Sequence, residues 1–141
     1  MTDRFGRVWP GRLLLAGGLL MFAGGVAHTF AGWPAIAAEL DRARVDDDLA
    51  GALQVGWHFG GLAMNALGLI VVLCWLELRT GTSGEAGRIA MVAGLLYLLF
   101  GAGAFLVRFP NPHFLPFAAV GAAVVIGACA GRRPAAAAPE P

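Results

Sequence analysis

Lysine is absent from this chain: its ten basic residues are all arginines, set against nine acidic ones, for a net charge of +1. Charged residues fill only 13% of the 141 positions and hydrophobic residues fill 58%, whereas soluble domains are roughly 25% charged. That is the composition of a membrane protein. With no basic stripe to replace phosphate counterions, a nucleic-acid partner is excluded. The two cysteines, Cys74 and Cys129, lie in apolar runs with no second cysteine or histidine at metal-ligand spacing, so both read as small core residues. GxSxG, HExxH, ExxH, CxxCH and phosphate-binding glycine loops are all missing, and with them every common catalytic signature.

What the chain does have is long apolar runs. A helix needs about 20 residues to cross a bilayer, and runs of that order occur at about 12–33, 53–78, 88–109 and 114–131. The expected fold is therefore all-α, an antiparallel bundle of four transmembrane helices within residues 1–131. A cleaved signal peptide is the competing reading of the first run, but that run is longer than a usual signal core and its glycines are spaced as packing positions. Residues 132–141, RRPAAAAPEP, have nothing to bury and read as a disordered tail. Arginine without lysine, beside a heavy load of Ala and Gly, points to a GC-rich bacterial source.

Arginine placement orients the bundle, because short loops rich in Arg and Lys stay cytoplasmic. Arg4, Arg7, Arg12, Arg79, Arg88, Arg132 and Arg133 fall on the side of the termini, while Arg42, Arg44 and Arg108 fall opposite. Both termini are expected in the cytoplasm, the protein being multi-pass in the bacterial inner membrane. The first outer loop carries Glu39, Asp41 and Asp46, Asp47 and Asp48. Pro34 suits a first helical turn, so this loop is expected to form a short amphipathic helix lying along the outer surface.

In lipid, helices associate through small residues and occasional polar contacts. Gly87, Gly94 and Gly101 recur one heptad apart in the third span, with Ala90, Tyr97, Ala104 and Arg108 interleaved. The first span repeats Gly17, Met21, Gly24 and His28 beside a parallel pair, Gly18 and Gly25; the second reads Gln54, His58, Gly61, Asn65 and Gly68. The histidines and Asn65 thus share seams with glycines and should face the bundle interior. At about 1.5 Å of rise per residue, His28 and His58 both lie roughly 10 Å outward of the midplane. Tyr97 and Asn65 sit beneath them, and Gln54, Arg108, Asn111 and His113 stand at the mouth.

Buried polar groups in a membrane are costly, which makes this cluster the candidate site. One reading is structural: His28, His58 and Asn65 fix the bundle by interhelical hydrogen bonds. A second is a pocket, open outward, in which His28, Gln54, His58, Asn65, Tyr97, Arg108 and His113 bind a lipophilic small molecule such as a quinone or isoprenoid, or a partner membrane protein. A third is a transition metal held by His28, His58 and His113, or haem in a slot lined by Gly24, Gly25, Gly60, Gly61, Phe22, Phe59 and Trp57. An enzyme should place more carboxylates or cysteines in the outer half of the spans, where there are none. The balance favours a binding protein.

The segments GGVAHTFAGWP, VGWHFGGLAMNALGL and NPHFLPF resemble small bacterial four-helix membrane proteins, including the DoxX-like group, in length, number of spans and a Gly-His element in the first helix. The resemblance covers most of the chain and implies an inner-membrane protein. The histidine after Trp57 is no part of the DoxX pattern, and the likeness assigns no functional residue.

Overall fold

The computed structural model describes residues 3–80, 84–109 and 111–130. Every described element is helical: α1 (Asp3–Ala27), a π-helical turn (His28–Gly32), α2 (Trp33–Arg42), α3 (Asp47–Thr80), α4 (Gly84–Val107), a 3-10 turn (Pro112–Phe114) and α5 (Leu115–Ala130). Four of the resulting rods are long and apolar enough to cross a membrane: Trp9–Arg42, Asp47–Thr80, Glu85–Val107 and Pro112–Ala130. The proposed tail, 132–141, lies outside the described residues.

The helices form two antiparallel hairpins, α1 with α3 and α4 with α5, and the hairpins meet through α1 against α5 and α3 against α4. Glycine sets the α1–α3 approach. Gly11 faces Trp75, Gly18 faces Gly68 and Gly25 faces Gly61, a step of seven residues on both helices in opposite directions. The parallel pair Gly18 and Gly25 is thus the one that meets α3, while Gly17 meets Val124 of α5. In the second hairpin Gly94 packs on Gly121, and Gly101 on Ala118. Small residues that let backbones approach this closely are the usual means by which apolar helices associate.

The first outer connection departs from expectation. Rather than lying across a surface, α2 continues α1 through the π-helical turn with helical backbone at both junctions, Ala27 and Trp33, and packs along α3 through half-buried Ile36, Ala37 and Leu40. The chain then reverses within four residues. Arg44 takes a left-handed conformation, φ 52°, while Arg44 N–H donates to the Asp41 carbonyl and Val45 N–H to that of Leu40. This is a helix-ending geometry usually given to glycine. Asp46 immediately caps α3, its carboxylate accepting from the backbone N–H groups of Asp48 and Leu49 at 3.1 and 3.3 Å. The acidic run is therefore a helix start, with Asp47 and Asp48 in the first turn, where negative charge complements the helix dipole.

Lengths follow from this. The rods Trp9–Arg42 and Asp47–Thr80 have 34 residues each, about 50 Å at the usual helical rise; α4 has 24 and α5 has 16, about 36 and 24 Å. The α2 end of the first hairpin consequently stands above the end of the second. That end is called distal here, and the end bearing the start of α1 proximal.

The core is unevenly distributed along the axis. Leu14, Met21, Val71 and Val124 are fully buried, with Cys74, Ala90, Ala93 and Ala128 around them, all in the proximal half. The last of the series is Tyr97. Distal of its level, the only buried described residues are glycines at the seams within each hairpin, Gly25, Gly61 and Gly101. Met64, Ala102, Ala104 and Phe117 are half-buried, Met64 and Phe117 packing against the distal edge of the core. Full burial of side chains is thus concentrated in the proximal half and stops at Tyr97.

Candidate functional site

The site is assembled where closed packing ends. Its floor is Tyr97, whose ring is 5% exposed and lies 5.5 Å from that of Phe117. Gly24 makes room here: a methyl on it would stand 3.3 Å from Met64 Cε and 3.5 Å from the Tyr97 hydroxyl. Glycine on α1 therefore lets a phenol from α4 and a thioether from α3 converge near the bundle axis.

Asn65 is on the expected seam, but its oxygen is turned to α1 and not to the space between hairpins. Its Oδ1 is fully shielded, has no hydrogen-bond partner and rests against Gly25, where a methyl would overlap it. This is a contact of the Cα–H···O kind that recurs at close helix crossings. One turn distally the geometry repeats in reverse, with the Thr29 hydroxyl of the π-helical turn against Gly61 of α3. Glycine on one helix faces a small polar group on the other, twice.

His28 opens the π-helical turn. Its carbonyl accepts a 2.7 Å hydrogen bond from the Trp57 indole N–H, and its imidazole stacks on that indole with centroids 4.0 Å apart and planes 9° from parallel. The widened turn shifts the helical ladder by one residue, and the indole supplies a donor across the interface. A turn of this type is rare and concentrates at functional sites. Gly32 gives Trp57 its room, and Gly60 gives room to His28, whose Nε2 would be 3.4 Å from a methyl there.

His58 is half-buried. Its Nδ1 lies 2.7 Å from the Gln54 carbonyl of its own helix, so in the neutral ring Nδ1 carries the proton and donates. The ring tilts against Trp33 of α2, centroids 5.8 Å apart. Extending the step of seven along α1 and α3 brings His28 level with His58, as the sequence predicted, but the residue that faces His28 is Trp57. The α1–α5 register, set by Leu14 near Gly127 and Gly17 near Val124, likewise brings His113 to this height.

The arrangement bears on the metal, haem and mouth-residue expectations as follows. Among the described residues no group of three His, Cys, Asp or Glu side chains could hold a metal ion; His28 is covered by Trp57, and His113 is exposed with its ring edge-on to Phe114. The haem slot is filled, because Asn65 Oδ1 and Thr29 Oγ1 occupy the gaps at Gly25 and Gly61, while Phe22 and Phe59 are 43% and 70% exposed and face away. Gln54 contributes its backbone carbonyl to the site, with an exposed side chain. Arg108 closes the last turn of α4, its N–H donating to the Ala104 carbonyl at 3.0 Å, and is exposed beside the turn in which Asn111 Oδ1 accepts from the His113 N–H.

Thr29 and Met64 enter the site without having been singled out, and Trp57, expected only as a wall of a haem slot, enters it as the partner of His28. The signal for Trp57 is the glycine series 11, 18, 25, 32, a heptad stripe whose last member needs a large partner on α3. No family model matches the chain, nor does any curated protein or solved structure, so the likeness to the DoxX-like group rests on the sequence features alone.

Proposed function

We propose that the chain is an integral protein of the bacterial inner membrane, with four spans and cytoplasmic termini, that binds a small apolar molecule in the distal cleft between its hairpins. The observation carrying this reading is the end of close packing at Tyr97. Fully buried side chains lie proximally; distally the side chains stay at most half-buried over a floor of Tyr97, Met64 and Phe117. A site that is mostly apolar with a few placed polar groups suits such a ligand. Within the described residues the Tyr97 hydroxyl makes no hydrogen bond, which leaves it able to serve a polar atom on the ligand. The histidines then play separate parts. His28 builds the wall through Trp57, while His58 and His113 stand at the rim. Among the described residues no carboxylate or thiol is placed at this site, which favours binding over catalysis.

The test is extraction of the detergent-purified protein followed by mass spectrometry of the organic phase. One apolar species enriched over bulk lipid is expected. Gly60→Leu, which fills the wall beside His28, should lose it while retaining the helical circular dichroism of the parent. An extract identical to bulk lipid, unchanged by Gly60→Leu, would remove the reading.

A further inference from the structure

Resting on that cleft reading, we infer that the bound molecule is an apolar chain ending in a phosphate group, the chain lying in the cleft and the phosphate at its mouth. The argument is one of charge and height. From residue 49 to 76, and again from 86 to 130, the chain contains no acidic residue, so nothing negative lies in the distal half of any hairpin below the reversal. At the mouth, by contrast, the helix registers bring His28, His58 and His113 to one level, and the same registers put Arg108 about one turn above them.

Arg108 has no carboxylate partner among the described residues. By height, the acidic groups on the side of the mouth are those of the α2–α3 reversal, where Glu39 is paired with Arg42 at 2.8 Å, Asp46 is engaged in capping and Asp47 and Asp48 lie in the first turn of α3. An arginine at the end of a span, without a counter-charge, offers a fork of donors suited to a phosphate. The rim adds one further donor in the exposed imidazole of His113, whereas the single N–H of neutral His58 is spent on the Gln54 carbonyl. A planar fork together with the separate imidazole of His113 suits the three terminal oxygens of a phosphate monoester, which point in more directions than the two coplanar oxygens of a carboxylate. The floor below is apolar, as an isoprenoid or acyl chain requires.

The experiment is equilibrium binding to the full-length protein in uncharged detergent, read by native mass spectrometry. The probes are geranylgeranyl phosphate against geranylgeraniol, lysophosphatidic acid against monoacylglycerol, and inorganic phosphate alone. At least one phosphate should bind about tenfold more tightly than its uncharged counterpart, the scale of one charge-assisted contact, and the member that does so says whether the chain is isoprenoid or acyl. Arg108→Gln should bring each pair to within about twofold of one another without loss of the uncharged binder, and Arg108→Lys should keep part of the preference. Equal binding within both pairs, or a preference that survives Arg108→Gln, overturns the phosphate inference and leaves the cleft standing. Failure of all four amphiphiles sinks the cleft as well. Displacement by millimolar inorganic phosphate would make the mouth a free-anion site and overturn the amphiphile.

Discussion

The indole of Trp57 lies flat on the imidazole of His28 and donates its N–H to the carbonyl of the same residue, so one side chain of α3 grips both ring and backbone of the π-helical turn. This double contact ties α1 to α3 at the height where the bundle opens. Its energy is that of a modest interhelical polar contact with ring stacking added. Its importance is positional, since α2 continues from that turn.

Removing the donor while keeping a ring separates the two parts of the clasp. Trp57→Phe should lower thermal stability in detergent by about 0.6 to 1.7 kcal/mol, the range of interhelical hydrogen bonds, and Trp57→Ala should cost clearly more. Unfolding followed by circular dichroism tells them apart. Equal losses would mean the hydrogen bond is irrelevant.

Glycine positions along one chain should respond in opposite ways to the same methyl group. Gly25→Ala collides with Asn65 Oδ1 and the Gly61 carbonyl and is expected to cost about 1 to 3 kcal/mol as overpacking. Gly51→Ala meets nothing within 4 Å, and should be neutral or stabilising by up to about 1 kcal/mol. Melting curves of the two variants, recorded together, check the seam directly.

Asn65 and Gly25 should be coupled. Asn65→Ala alone is expected to be mild, because the oxygen it removes has no hydrogen-bond partner and leaving a buried acceptor unmade is itself a cost. In the Gly25→Ala background it should restore part of the loss, a coupling of about 0.5 kcal/mol or more by double-mutant cycle. Strict additivity would place Asn65 elsewhere.

His58 offers a spectroscopic check. With Nδ1 donating to the Gln54 carbonyl, its neutral ring should give nitrogen chemical shifts of the Nδ1–H form, the less common tautomer in solution. A dominant Nε2–H signal would remove that bond and reopen the orientation of the ring.

The proposed orientation is tested by labelling. Asp47→Cys in a Cys129→Ser background should react with an impermeant maleimide from outside spheroplasts. Reaction only after the membrane is breached would invert the bundle.

How much of this was legible beforehand differs from residue to residue. Hydropathy alone locates four helices long and apolar enough to cross a membrane, and the heptad glycines of α4, Gly94 and Gly101, read as a seam and are one. The common height of His28 and His58 could be had by counting. What counting could not supply was the identity of the neighbour. Successive residues on a helix point about 100° apart, so whether Trp57 or His58 meets His28 depends on how α3 is rotated about its own axis. That rotation is fixed by Gly61, Asn65 and Gly68 fitting against α1.

The chain's composition and periodicity therefore determined four apolar helices, their antiparallel order and the common height of His28 and His58 along the bundle, because hydropathy and rise are properties of the chain taken one residue at a time. Only the tertiary structure decided that α2 prolongs α1, that Trp57 covers His28 and that Asn65 is spent on the α1–α3 seam. Those outcomes follow from the rotation and close approach of paired helices, where a single missing Cβ chooses which side chain fits.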